Sequence, residues 1–540
     1  MKSLGTELLT IKKRDGGGFY RKTRLGASMK SLRLSVVLVL SFLTVICTFS
    51  CSKKTPTTGV LKVAIPAGPV SLDSRKATDS YGIMITRLIF DGLFRTDEQM
   101  NVVPNLVETF EQDDKTYTFH LKKGVVFHDG TPLTAEDVVY SYGSIMDGSI
   151  QSAFKGSFDR VESIEALSSD TVKMTLKEPY APFLTLLGIG VVPKGYAAEK
   201  GEDFSSNPVG TGPYKFVKFV PDSWLVLEAN EKYFGDVPRT QTLRFDIIAD
   251  DNVRVLKLLK GDVDFIQNAV PPMLLAKVAE DKNIKRMEDA GVVVSYLGFN
   301  LTDPILADEK VRQAIAYAID RDAIISHRFQ GLAVKANSIL SPDNWAYDKN
   351  LKGYEYDPQK AKTLLDEAGY KDSDGDGPAM RFGLIYKTST NKERVDIAQM
   401  IAHQLRLVGI DVRVEPYEWG KFYGDIKKGN FQMYSLAWSL LTEPDMFYDV
   451  CHSSQWAPDG VNRNRYKNAV VDKLVEEGRV AMSRERRKEV YAKVQEIALA
   501  ELPYVPLWYE KNVVVYRNNL KGVKLRPDGD LRTLIGVEKK

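Results

Sequence analysis

The chain has 540 residues, 44% of them hydrophobic and 27% charged, the balance of an ordinary soluble globular protein with room for about three to four domains. Lys and Arg number 74 against 71 Asp and Glu, a net charge of +3, which leaves out the strongly basic face that nucleic acid requires. Its three cysteines, Cys47, Cys51 and Cys451, make no Cys-x-x-Cys pair and no disulfide framework, so neither zinc nor redox chemistry is indicated.

In chain order, residues 1–28 are rich in Lys and Arg without sustained periodicity. We read them as a dispensable extension or a mis-assigned start. Met29 then opens a complete secretory signal over residues 29–50. Lys30 and Arg33 supply its positive end, and the uncharged run Leu34 to Ser50 is shorter than the roughly 20 residues of a spanning helix. Ser50-Cys51 resembles a lipobox, which makes Cys51 the expected lipidation site. Thr48 and Phe49 stand where a Leu and a small residue are usual, and an uncleaved anchor helix is the alternative. Residues 51–59 read as a flexible leash. Either way the body is expected outside the cytoplasm, periplasmic or at the cell surface, held to a membrane.

Val60 to Ile65 reads as a first strand. Tyr117, Phe119 and Leu121 alternate with polar residues, a half-buried strand; Lys122-Lys123-Gly124 turns the chain, and Val125 to Phe127 reads as a second short strand. Asp129-Gly130 marks a turn. Thr134 is placed to cap a helix, with Asp137 in capping-box spacing. His128-Asp129 is read as a hydrogen-bonded turn, not a catalytic dyad. Leu243 to Phe265 reads as strand, helix, Gly turn and strand, with Val253, Leu256 and Leu259 as the core stripe of its helix. Asp308 to Ile325 has the pattern of one long amphipathic helix. Asp372 to Gly377 imitates the start of an EF-hand, but the twelfth position, where calcium wants a carboxylate, is Gly383; a bare acidic turn is expected. Gln399 to Trp419 reads as helix, Gly turn and strand. Phe431 to Tyr448 brings a strand to an aromatic loop, and Tyr504 to Tyr509 and the Val-Val-Val-Tyr-Arg run after it return as strands.

The wording of Asp113 to Tyr142, with its Lys-Lys-Gly turn, its Phe-His-Asp-Gly-Thr-Pro run (Phe127 to Pro132) and its Ala-Glu-Asp-Val helix start (Ala135 to Val138), strongly resembles the signature of the family 5 extracellular solute-binding proteins. These are the peptide, dipeptide and nickel receptors of bacterial ABC importers. Ser71 to Ser74, Asn207 to Phe216 and Asp308 to Ile325 match further markers in order, and the resemblance covers nearly all of residues 60 to 530.

The resemblance implies an α/β, two-lobed periplasmic-binding-protein-like fold of the large, cluster C type. It assigns residues 60–92, 196–299 and 503–540 to lobe one, a small extra domain to 93–195, and lobe two to 300–502. It further implies a monomeric receptor, not an enzyme and without cofactor, that holds a peptide-like solute between its lobes and delivers it to a permease with a separate ATPase. Nickel chelates, haem, glutathione and oligosaccharides are the alternative ligands; a lipid-tethered sensor or chaperone is the alternative role. Ser80, Tyr81, Trp419, Trp438, Ser439 and Trp508 fall at ligand-lining positions. Peptide receptors place an Asp three residues after the tryptophan, for the α-ammonium; here Leu441 stands there, and Glu443 or Asp445 is expected to swing in. No His-Glu-x-x-His, Gly-x-Ser-x-Gly, Walker A or Rossmann fingerprint is present.

Overall fold

Two long strands, Ile284–Phe299 and Tyr504–Arg517, pair antiparallel through the middle of one large sheet. The computed structural model describes residues 57–375, 377–439 and 442–540. The signal, Cys51, most of the leash, Asp376 and Leu441 therefore lie outside the described residues. The sheet runs Ile410–Tyr417, Phe382–Ser389, Met433–Trp438, Ile284–Phe299, Tyr504–Arg517, Phe265–Gln267, Thr57–Ile65, Thr240–Ile247, Trp224–Ala229, Tyr214–Val220. Every strand before residue 270 in this path lies on one side of the long pair, and those between 382 and 438 lie on the other. Two halves of the sheet are thus joined by two crossing strands.

The crossing has a defined break. Residues 284–289 pair with 512–517, residues 293–298 pair with 504–510, and a bulge separates Asp289 from Val293. Gly291 sits in it, where a Cβ would meet the Glu510 carbonyl oxygen at 2.2 Å. Only glycine lets the two backbones approach so closely. A bulge bends and twists a strand locally, so this is where one half turns against the other.

Helices cover both faces. Helix Ser80–Ile89 buries Ile85, Leu88 and Ile89 in one core with Leu61, Val63 and Phe245. Helix Lys392–Arg406 buries Ile397, Ile401 and Leu405 with Leu297 and Leu384. Helix Trp419–Lys428 buries Phe422 and Ile426 with Tyr296 and Tyr434. A separate four-stranded sheet, ordered Val107–Gln112, Thr116–Leu121, Thr171–Leu176, Val161–Ala166, has a core of its own with Phe119, Val138 and Met174.

Local signals held where the chemistry was local. Tyr117, Phe119 and Leu121 are buried on one side of their strand, and Asp137 accepts from both the backbone N–H and the hydroxyl of Thr134 at 2.8 Å. The expected strand at Val125 to Phe127 is only a single bridge, Val126 to Pro132, because the chain reverses at once through Phe127 N–H to Thr131 O. His128 and Asp129 face different partners. The His128 ring accepts from Gly210 N–H and meets the Gly212 carbonyl at 3.0 Å, while Asp129 accepts from Thr131. Burial holds the His128 imidazole down to about 4, so it is a neutral brace between the two signature loops.

Three other readings are corrected. The stripe expected to face the core through Val253, Leu256 and Leu259 is rotated: Arg254, Val255 and Leu258 are buried, and Val253 and Leu256 are exposed. The long helix after Asp308 stops at Ala318; Ile319 is extended and Asp320 caps a new short helix. The two C-terminal strands are one continuous strand, Tyr504–Arg517.

Candidate functional site: the edge between the two halves

In the second half, strands Phe382–Ser389, Ile410–Tyr417 and Met433–Trp438 are mutually parallel. Trp438, at a carboxyl end, pairs with Val294, level with the bulge. In the first half, Thr57–Ile65, Thr240–Ile247 and Phe265–Gln267 are likewise parallel, and Gln267 pairs with Val514, again beside the bulge. The carboxyl ends of both sets of strands therefore meet at the crossing. Open α/β sheets take ligands outside such carboxyl ends.

On the first half, Arg254 organises this edge. It is 1% exposed and donates to the carbonyls of Ile248, Ala249 and Ala269, which follow two of the strands, and to Asp251. Tyr81 lies within its electrostatic reach, and burial pushes the Tyr81 phenol up to about 12. Ser80 and Tyr81 open helix Ser80–Ile89, whose cap Asp79 accepts from Gly82 N–H at 2.7 Å and also ties down Val70 N–H.

On the second half, Trp438 stacks on Tyr296 with centroids 5.8 Å apart, and the Arg463 guanidinium lies 4.3 Å above its ring. Arg463 also donates to the hydroxyls of Tyr296 and Tyr423. Trp419 opens its helix, is 47% exposed, and stacks on Tyr423 at 5.6 Å with Arg394 at 5.1 Å. Ser439 is exposed beyond the strand end. Trp508 stands apart from these two tryptophans: it is 1% exposed and packs on Phe329.

Glu443 and Asp445 are already engaged. Glu443 pairs with Arg487. Asp445 accepts from the Arg479 guanidinium at 2.9, 3.0 and 3.1 Å and from the Tyr180 hydroxyl at 3.1 Å. Arg479 lies 3.6 Å over the Tyr448 ring, and its carbonyl accepts from Ala181 N–H. Asp445 thus ties the segment following the four-stranded sheet to the second half. In this arrangement neither carboxylate is free for an ammonium.

A second group was missed in sequence. Tyr386 and Thr388, Ser435 and Ala437, Ser295, and Trp508 and Glu510 fall on one face of four adjacent strands, by the period of two and the strand register. Helix Lys392–Arg406 covers this face and brings Arg394 to it. Among the described residues the Thr388 hydroxyl, an Arg394 Nη and the Trp508 indole N–H are buried with no hydrogen-bond partner, and the buried Tyr386 hydroxyl makes no well-formed bond although the Ser435 side chain lies within its reach. The usable sequence signal was the break of apolar alternation by Thr388 and Glu510 in otherwise buried strands. Among the described residues no group of three or more His, Cys, Asp or Glu is placed to hold a metal.

Two half-sheets joined by crossing strands, with the carboxyl ends of their parallel strands meeting at the crossing, form the frame of the described residues. The family model for bacterial extracellular solute-binding proteins, family 5 middle region, matches residues 101–458. The chain belongs to that family; it is a binding protein and not an enzyme. It is 32% identical over 540 residues to the oligopeptide-binding protein AppA of Bacillus subtilis, covering 95% of this chain and 98% of AppA. The solved structure of AppA with a nonapeptide superposes with a TM-score of 0.77 at 31% identity, covering 90% of this chain and all of that one. The dipeptide-binding protein of Escherichia coli is 30% identical over 92% of this chain and 98% of its own length. NikZ of Campylobacter jejuni, solved with Ni(L-His), superposes with a TM-score of 0.77 at 29% identity, covering 89% of this chain and 99% of NikZ. The family confirms the two-lobed fold expected from the sequence. No helix among the described residues is long and apolar enough to cross a membrane.

Proposed function

We propose that this chain captures a peptide-like solute between its lobes and delivers it to a membrane permease driven by a separate ATPase. The observation that carries the reading is the set of buried polar groups without a well-formed partner, Thr388, Arg394 and Trp508 among them, on one face of the second half and the crossing strands. Native proteins leave few such atoms, and a cluster of them beside a hinge calls for an occupant. Ser80 and Tyr81 would meet the solute from lobe one, and Trp419, Trp438, Ser439 and the indole N–H of Trp508 from lobe two. Glu443 and Asp445 then act as supports for the loop, held by Arg487 and Arg479. The partition that goes with this reading keeps 60–92, 196–299 and 503–540 in lobe one, 93–195 as a small domain with its own core, and 300–502 in lobe two. A lipid on Cys51 would hold the receptor at the membrane; two or more acyl chains give stable anchoring at about 0.8 kcal/mol per buried CH₂. A chelate ligand is the second reading, favoured by Leu441 where peptide receptors carry Asp.

One experiment tests these together. The Cys51→Ser form is expected in the soluble fraction. Weighed by native mass spectrometry after gentle purification, it should carry a bound solute in the mass range of short peptides, released on denaturation. A membrane-bound Cys51→Ser form contradicts the anchor. A metal-bearing organic adduct contradicts the peptide class and leaves the receptor standing.

A further inference from the structure

The unpartnered group has a charge arrangement that narrows its occupant. Among the described residues neither Arg394 nor Glu510 forms an ion pair within 4 Å, although each lies in the other's electrostatic reach. Among the described residues the Glu510 carboxylate is met by the Ser295 hydroxyl, which donates to it at 3.2 Å. Burial pushes the Glu510 carboxyl up and the Arg394 guanidinium down, so each ion gains from an opposite charge brought by a ligand. Beside Arg394 stand three further groups able to donate: the Tyr386 and Thr388 hydroxyls and the Trp508 indole. Tyr386, Thr388 and Trp508 are each at most 1% exposed, so their polar atoms are not left to bulk water. Ala437, in the middle of this face, is exposed, and we call the face around it the cup.

Several donors around one guanidinium suit a carboxylate. A lone carboxylate across the same cup suits an ammonium. We propose that this cup reads both charged ends of a short zwitterionic solute, with its carboxylate at Arg394, Tyr386 and Thr388 and its ammonium at Glu510. Glu510 thereby takes the part that the loop bearing Leu441 does not supply. The assignment rests on the receptor reading and adds to it which residues read the ends.

The test is calorimetry with a pool of free dipeptides, an N-acetylated pool and a C-amidated pool, against wild type, Glu510→Gln, Arg394→Gln and Tyr386→Phe. The free pool should bind wild type, and blocking either end should weaken binding about tenfold or more, as loss of a buried charge-assisted contact does. In Glu510→Gln the penalty for acetylation should vanish while that for amidation stays. In Arg394→Gln the reverse should hold. Tyr386→Phe removes a buried hydroxyl that makes no well-formed hydrogen bond in the protein, so the thermal midpoint should hold or rise while binding of the free pool weakens; a purely structural role gives no such split. Penalties that persist unchanged in both charge variants overturn the assignment and leave the receptor reading intact. Equal binding of free and blocked pools to wild type overturns it too, and means that water fills the cup. If no pool binds wild type, the peptide-like reading itself fails, and the assignment falls with it.

Discussion

Arg321→Met is expected to destabilise the chain by about 3–5 kcal/mol, the usual size when one member of a buried polar set is removed. Arg321 is 5% exposed. It donates to the carbonyls of Ala336 at 2.5 Å, Pro506 at 3.0 Å and Tyr354 at 2.6 Å. One guanidinium therefore pins a crossing strand and two loop segments. Methionine keeps the apolar stem but leaves three carbonyls without donors. A thermal midpoint clearly below wild type, with an unchanged far-ultraviolet circular dichroism spectrum at low temperature, is the expected readout. An unchanged midpoint means that water satisfies these carbonyls and the guanidinium is dispensable.

Asp445→Ala should cost a similar amount, about 3–5 kcal/mol. The mutation strands a mostly buried Arg479 guanidinium, its side chain 11% exposed, and removes the acceptor of the Tyr180 hydroxyl. Tyr180 follows the four-stranded sheet, so this contact also holds that sheet to the second half. The loss should appear in solute-free protein. If Asp445 served only the ligand, the solute-free midpoint would match wild type, and only the shift on adding solute would shrink.

These arginines mark where reading the sequence stopped. Thr134 and Asp137 were legible because a capping box is settled within four residues, and the strand at Tyr117 to Leu121 because burial alternates with the backbone. Arg254 and Arg321 were not. A charged residue in an amphipathic pattern reads as a solvated face, yet both turn inward, because their five donors satisfy carbonyls at strand ends that no backbone partner reaches. That same inward turn of Arg254 rotated its helix away from the expected stripe of Val253 and Leu256.

The C-terminal strand was split in sequence at Glu510-Lys511-Asn512, where the apolar run breaks. The break belongs to the crossing: Glu510 faces the cup, and Asn512 donates to the carbonyls of Ala290, Arg526 and Pro527 while accepting from Asn268. The signature stretch identified the family because its wording is specific. It could not place the site, whose members Ser295, Tyr386, Arg394 and Glu510 come from three distant segments and meet only through strand register. Tryptophan alone was equally uninformative about depth: Trp419 is 47% exposed and Trp508 only 1%, although both read as lining positions.

The central claim is that a solute bound at the meeting edges draws the two lobes together about the bulge at Gly291. Small-angle X-ray scattering tests it most directly. The solute recovered from natively purified protein is returned, at saturation, to protein stripped of it by unfolding and refolding. The account predicts a smaller radius of gyration for the loaded form and a return to the larger value on stripping. Equal radii with the solute demonstrably bound would contradict capture by closure.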